Sequence, residues 1–433
     1  MSLTRRLRAL LGGLALAGLC SAWLPARAQH DGHAGAQAAA PASAGASAPA
    51  AMRRRAPPLA MGAAFAPDGQ LWIVALDAQQ KLFVQSSPDE GRSWGAARPV
   101  DTGADKVVAD GENRPKLAFG PRGLAVITYT EPLAKPYTGR IRMLRSEDGA
   151  RSFSAPFTVH ADQQVITHRF ESVAFDARGT LHTLWIDKRD QEALLQTAPA
   201  ASPAASGSRR ARPQIDYRGA AIYRNESTDG GKTFGPDTKL ADYSCECCRI
   251  ALAPTPEGGL AALWRHVFAP NERDHAFALV AGGPVAQPAR ASLDHWALDA
   301  CPHHGPGLAP AAGGGYHAVW FGDRAGDMRV RYGRLSAQGT PVGQARTLPD
   351  ERAEHAAVAS AGQHVAIVWR SFDGQATLWQ AWLSTDGGAS FTLKPLGQAT
   401  GDNDHPLLLQ RGQQLFALWR TTQGVRVERL FAS

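Results

Sequence analysis

Long apolar runs, net charge and cysteine are all scarce in this chain. Ala9–Leu19 is an apolar run too short to span a bilayer, and no other stretch reads as a membrane helix. The 433 residues hold 46 Lys and Arg against 39 Asp and Glu, a formal net charge of +7. Part of that excess is Arg5, Arg6, Arg8 and Arg27, in a leader of residues 1–28 that has no acid. Without the leader 42 basic residues face 39 acidic ones, a net of +3. No run joins a basic patch to stacking aromatics either, which argues against nucleic acid as a partner. With 44% hydrophobic and 20% charged residues the chain is neither disordered nor collagenous. Its 44 Gly and 29 Pro favour turns and short strands over long helices.

The leader reads as an export signal. Arg5, Arg6 and Arg8 precede the apolar run, and Ala26-Arg27-Ala28 fits a small-x-small cleavage site before Gln29. The expected location is periplasmic or secreted. Cys20 follows Leu19, where a lipoprotein signal wants a small residue, so a lipid anchor is disfavoured. Residues 29–58 are mostly Ala, Pro, Gly and Ser and read as a flexible linker. The new amino terminus, Gln29-His30, is either a polar linker start or a Cu(II) site built from amine, amide and imidazole.

Residues 59–433 read as one repeat domain. Seven segments share a short apolar strand, a Gly turn and a second strand usually ending in Trp. They are Gly62–Leu76, Arg114–Tyr129, Glu171–Trp185, Arg249–Trp264, Gly305–Trp320, His355–Trp369 and His405–Trp419. The steps are about 50 to 57 residues, apart from one of 79 that holds an Ala, Pro, Ser and Arg-rich insertion at 191–215. That insertion reads as a disordered surface loop. A period near 50 with four short strands per unit predicts an all-β propeller of four-stranded antiparallel blades. Seven blades is the preferred count and six the alternative. The last unit ends after three strands, and residues near 57–61 are candidates for its fourth.

A second motif recurs in the repeat. Ser87, Asp89, Gly91 and Trp94 form a Ser-x-Asp-x-Gly-x-x-aromatic pattern. It returns at Ser227, Asp229, Gly231 and Phe234, and again at Ser384, Asp386, Gly388 and Phe391. Ser146, Asp148, Ala150 and Phe153 make a degenerate copy. Ser and Asp satisfy turn amides, Gly supplies a positive φ and the aromatic packs beneath. Here residues 60–433 resemble the Asp-box (BNR-repeat) β-propellers of the sialidase superfamily. The resemblance implies the fold, with the boxes on the face away from the ligand. It does not choose between hydrolases and binding modules, since both carry these boxes.

In such a ring, residues before each first strand and after each second strand crowd one central mouth. That set is rich in His, Cys, Arg and acids. Cys245, Cys247 and Cys248 lie in Cys-Glu-Cys-Cys before the fourth unit. Cys301, His303 and His304 lie in Cys-Pro-His-His before the fifth. One reading staples these loops by disulfides. The other makes them a soft-metal site of thiolates and imidazoles for copper or zinc, with His168, His266, His355 and His405 as additional candidates. Arg249 after Cys248 excludes a c-type haem attachment. A redox-active pair would lack the helix that lowers a thiol pKa.

The resemblance also implies an enzyme reading. Sialidases clamp a carboxylate with three arginines and use a Tyr nucleophile, its Glu base and an Asp acid/base. The candidates are Arg114, Arg265, Arg370, Arg420 and Tyr243, with Glu171 and Asp187 as a carboxylate pair suited to other glycan chemistry. The family's late Tyr has no match, since no Tyr follows Tyr332. Trp185, Trp264, Trp320, Trp369 and Trp419 either pack blade on blade or offer a sugar platform. Three functions remain open. The first is an exported metal-binding propeller in copper or zinc handling. The second is a sialidase or other glycan hydrolase, and the third a scaffold with disulfide-stapled loops that binds an exported protein. The chain is expected to be a monomer.

Overall fold

The computed structural model describes residues 58–198, 215–280 and 287–432. The expected leader and nearly all of the linker lie outside them. Seven antiparallel sheets follow one another along the chain. Blade 1 comprises Met61–Phe65, Leu71–Leu76, Leu82–Ser87 and Arg98–Pro99. Blades 2 to 6 begin at Lys116, His168, Ala251, Gly307 and Glu354 and repeat that four-stranded order. Blade 7 has three strands, Leu407–Arg411, Gln414–Thr421 and Gly424–Arg429. Each first strand touches the first strands of both flanking blades, and that of blade 7 touches that of blade 1. Seven blades therefore close a ring. No helix among the described residues is long and apolar enough to cross a membrane.

The apolar second strands hold the ring together. Leu71–Leu76 is buried along its whole length because both of its faces meet neighbouring blades. Trp72, Val74 and Leu76 join the core toward blade 2, while Leu71, Ile73 and Ala75 join that toward blade 7. The period of two along a strand thus feeds two cores in turn. Trp185, Trp264, Trp369 and Trp419 are fully buried, and Trp320 is nearly so. Their indole N–H groups mostly find fixed acceptors: Trp185 donates to Asp187 at 2.7 Å, Trp320 to Asp294 at 2.7 Å and Trp369 to Asp350 at 2.8 Å. These indoles are blade packing, and none is open to a sugar.

Ring closure differs from the sequence expectation. Met61 pairs with Ala75 inside blade 1, so residues near 61 add no fourth strand to blade 7. Closure comes instead from the shared apolar core and a buried pin. The carboxylate of Asp404, ahead of blade 7, accepts the Met61 N–H at 3.0 Å and the Arg114 guanidinium at 2.9 Å. Arg411 pairs with Glu90 and lies over Phe65 and Phe416.

The four Asp-box turns join the third and fourth strands of blades 1, 2, 3 and 6. In each the Ser hydroxyl accepts the N–H four residues on and donates to the Asp carboxylate, as Ser87 does to Gly91 N at 2.7 Å and Asp89 at 2.9 Å. Hydrogen bonds from the Ser93 hydroxyl and N–H hold the Asp89 carboxyl down at about 2. Ala150 keeps the turn with φ 65, where the other copies have Gly. The start of the expected insertion is ordered. Arg189–Thr197 is an α-helix, with Asp190 and Glu192 in its first turn where the dipole favours acids. Residues 199–214 lie outside the described set.

Candidate functional site

The centre of the mouth is built on a residue that the sequence reading passed over, Glu112. It stands in Asp110-Gly111-Glu112-Asn113, ahead of blade 2. The Asp110 carboxylate caps this turn, accepting the N–H groups of Glu112 at 3.2 Å and Asn113 at 2.8 Å. Glu112 is buried and collects two incoming loops. It accepts the Arg249 guanidinium at 2.6 Å, the Arg249 N–H at 3.1 Å and the Gly305 N–H at 2.8 Å. His355 Nδ1 lies 3.3 Å from its carboxylate and His405 Nδ1 3.7 Å. Burial alone would raise this carboxyl. The Arg249 charge and the His355 hydrogen bond outweigh burial and hold it well below the usual carboxylate range. Two glycines make room. A Cβ at Gly111 would fall 2.2 Å from the His405 ring, and one at Gly305 would fall 2.3 Å from Arg249.

Three imidazoles stack above this carboxylate. His304 and His355 lie 4.3 Å apart between centroids, and His355 and His405 lie 3.4 Å apart. His355 reaches the axis through a bulge: Glu354 pairs with Arg370, the next partners are Ala357 and Val368, and His355 takes φ 52. Left-handed backbone at a residue of this kind costs about 1–3 kcal/mol and tends to mark functional positions. Burial keeps His304 and His405 well below the ordinary imidazole value, and His355 is lowered in the same way. All three rings are therefore neutral near pH 7, the form that ligates metals. The Nδ1 atoms of His304 and His405 are buried without a hydrogen-bond partner.

The thiols form a second group beside the first. Cys245, Cys247 and Cys248 are buried with their sulfurs within 4.8 Å of one another. The Cys245–Cys247 separation is 3.7 Å and the Cys247–Cys248 separation 3.8 Å. Cys301 packs against the same cluster, and its thiol interacts with those of Cys245 and Cys247. All four are free, so the disulfide-stapled reading is not the arrangement seen. Hydrogen bonds from Cys247, Cys248 and Cys301 hold the Cys245 thiol well below its ordinary value. Hydrogen bonds to Cys245, Cys248 and Cys301 push Cys247 up, and burial pushes up Cys248. Cys301 is pushed up to about 12 by its bond to Cys245. The Arg273 guanidinium lies 3.4 Å from the Cys245 sulfur.

Other candidates fall elsewhere. His168 stacks on His160 at 4.0 Å between blades 2 and 3, near Asp162 and Asp187. His266 packs among Tyr243, Trp264 and Phe268. His303 stands in the Cys301–His304 loop with φ 53. Tyr243 belongs to the outermost strand of blade 3, Thr238–Ser244, with Arg218 over its ring at 4.1 Å. Glu171 is held by Lys116 and Thr130, and Asp187 by Trp185 and Arg189, so each carboxylate has its own partners.

The arginines are loop pins. Arg114 binds Asp404 and the Met61 carbonyl. Arg265 donates to the carbonyls of Arg273, His304 and Phe321 at 2.7 to 2.9 Å. Arg370 binds Asn403 at 3.1 Å, and Arg420 the Leu76 carbonyl at 2.9 Å. With these partners the four do not make a ready clamp for a sugar carboxylate.

No known family matches the chain by sequence, and no curated protein does. Its fold does have solved counterparts. A PL25 ulvanlyase, solved bound to -[GlcA(1-4)Rha3S]-, superposes with a TM-score of 0.54 at 11% identity, over 86% of this chain and 93% of that one. The NanB sialidase of Streptococcus pneumoniae gives 0.46 at 9% identity, over 82% and 81%. An α-L-arabinanase of Penicillium chrysogenum gives 0.45 at 12%, over 87% and 96%. The likeness is one of fold: the chain is a seven-bladed β-propeller.

Proposed function

We propose that this chain is an exported metal-handling propeller whose mouth binds copper or zinc through Cys245, Cys247, Cys248 and Cys301. Residues 1–28 would direct export. The observation that carries the reading is the spacing of the thiols. Four thiolates about 2.3 Å from a tetrahedral ion stand about 3.8 Å apart. The sulfurs of Cys245, Cys247 and Cys248 are 3.7 and 3.8 Å apart along the cluster. A disulfide would need about 2.05 Å. The donors are soft, which favours Cu(I) and Zn(II) over oxygen-seeking cations. Burial of three of the four thiols shields a bound ion from competing ligands.

The test is elemental analysis with a thiol count on the full chain, exported to a periplasm and purified without chelator. The expected result is one thiolate-bound copper or zinc per chain, with Cys245, Cys247, Cys248 and Cys301 all reduced. Absence of metal after reduction and Cu(I) challenge, with these cysteines found paired, would overturn the proposal.

A further inference from the structure

Beside the thiols lies a set of donors of different chemistry. We infer that His304, Glu354 and His355 form a second metal site, of nitrogen and oxygen character, for a borderline divalent cation such as Zn(II) or Cu(II). One ligand atom from each lies within 4.8 Å of the others. They come from two places in the ring: the loop before blade 5 supplies His304, and the first strand of blade 6, Glu354–Ala361, supplies the other two.

His355 carries the argument. Its Nδ1 faces the Glu112 carboxylate at 3.3 Å, and its Nε2 faces Glu354 at 3.5 Å. A ligating imidazole almost always gives its other N–H to a carboxylate or carbonyl, which fixes its tautomer and orientation. Glu112 is placed for that part. It is already filled by Arg249 and the Gly305 N–H, so it serves as a support and not as a ligand. Glu354 is the available carboxylate. It is about one-third exposed, and Arg370 approaches it only to 3.5 Å while bonding Asn403. His304 lies between Phe321 and His355, each 4.3 Å away between centroids, and its Nδ1 is buried with no partner; its plane is only 10° from that of His355, so its ring must turn for both in-plane lone pairs to meet one ion.

Two imidazoles and one carboxylate suit zinc or Cu(II), whereas Cu(I) prefers the thiolates. Three protein ligands leave a position open to water, as in sites that exchange what they bind. The inference rests on these three residues and stands whether or not the thiols bind metal.

Cobalt(II) substitution separates the two sites. The full chain, reduced and freed of metal by chelation, is titrated with Co(II) without oxygen. Thiolate ligation gives a sulfur-to-cobalt charge-transfer band, and nitrogen and oxygen ligation does not. The wild type is expected to bind two equivalents, only one of which raises that band. E354A is expected to lose the other equivalent and keep the charge-transfer band. H304Q, with a circular dichroism spectrum matching wild type, is the second variant should E354A misfold. Unchanged stoichiometry in both variants would overturn the inference, as would a wild type in which every bound cobalt carries the thiolate band. A wild type that lacks the band yet loses its cobalt in E354A would uphold this site and overturn the thiolate proposal alone.

Discussion

Removing the Glu112 carboxylate tests whether the mouth is organised as described. In E112A the Arg249 guanidinium loses its partner at 2.6 Å, and the N–H groups of Arg249 and Gly305 lose their acceptor. Glu112 is only 4% exposed along its side chain and Arg249 21%, so water replaces the lost partner poorly. Breaking one side of a buried ion pair costs about 3–5 kcal/mol. We therefore expect E112A to lose ~3–5 kcal/mol in urea unfolding followed by Trp fluorescence. The pH dependence gives a second check. The native carboxyl is held below its unfolded value by Arg249 and His355, against burial. Its contribution is thus fully present above the unfolded value, about 4.3, and is lost as pH falls through the native one. The gap between wild type and E112Q should be constant near neutrality and narrow below about pH 4. A loss under 1 kcal/mol in E112A, or a gap that widens on acidification, would refute the account of Glu112 as the centre of the mouth.

D404A should also cost about 3–5 kcal/mol in the same assay, because it takes the buried carboxylate from Arg114 and leaves the Met61 N–H unpaired at the ring closure. Burial raises the Asp404 carboxyl despite Arg114, so ionisation there offsets part of the pairing, and D404N should cost less than D404A. G149A places a Cβ in open space at φ +73 and should cost about 1–2 kcal/mol by thermal melt. G388A, at φ +86 with its Cβ 2.1 Å from the Tyr332 hydroxyl, should cost more by a further ~1–3 kcal/mol. Equal losses in the two would count against the packed Asp-box turn. Under the thiolate proposal, free metal at a thousand times Kd should stabilise wild type by about 4 kcal/mol and leave a C247S/C301S double variant unmoved. Equal stabilisation of both proteins would place the binding elsewhere.

The blades were legible because each repeats the same physical problem. A strand buried on both faces must be apolar throughout, a tight turn needs Gly, and a wedge between blades needs a large ring. Those demands write Trp and Gly at a nearly fixed period, and seven units could be counted from them. Ring closure was not legible, because it depends on one buried carboxylate, Asp404, meeting an N–H 343 residues away. Glu112 was passed over for a related reason. Nothing local separates it from a surface acid except the Asp110 turn and Gly111, whose missing side chain admits His405. Tyr243 was expected at the centre because it precedes a first strand. It belongs instead to the outermost strand of its own blade, far out along the sheet from the innermost position. His168 and His266 share the crowded face, but the sequence could not say that each would be absorbed by neighbours between blades.

The arginines show how the same loops serve both the fold and the site. A propeller mouth is made of strand ends, and strand ends leave carbonyls without ladder partners. Long guanidinium side chains meet that need: Arg265, Arg370 and Arg420 each follow a buried Trp and bind backbone oxygens. Arg265 fixes the carbonyl of His304, and Arg249, next to Cys248, is fixed by Glu112. One set of pins therefore holds the imidazole loop and the thiol loop against the same carboxylate.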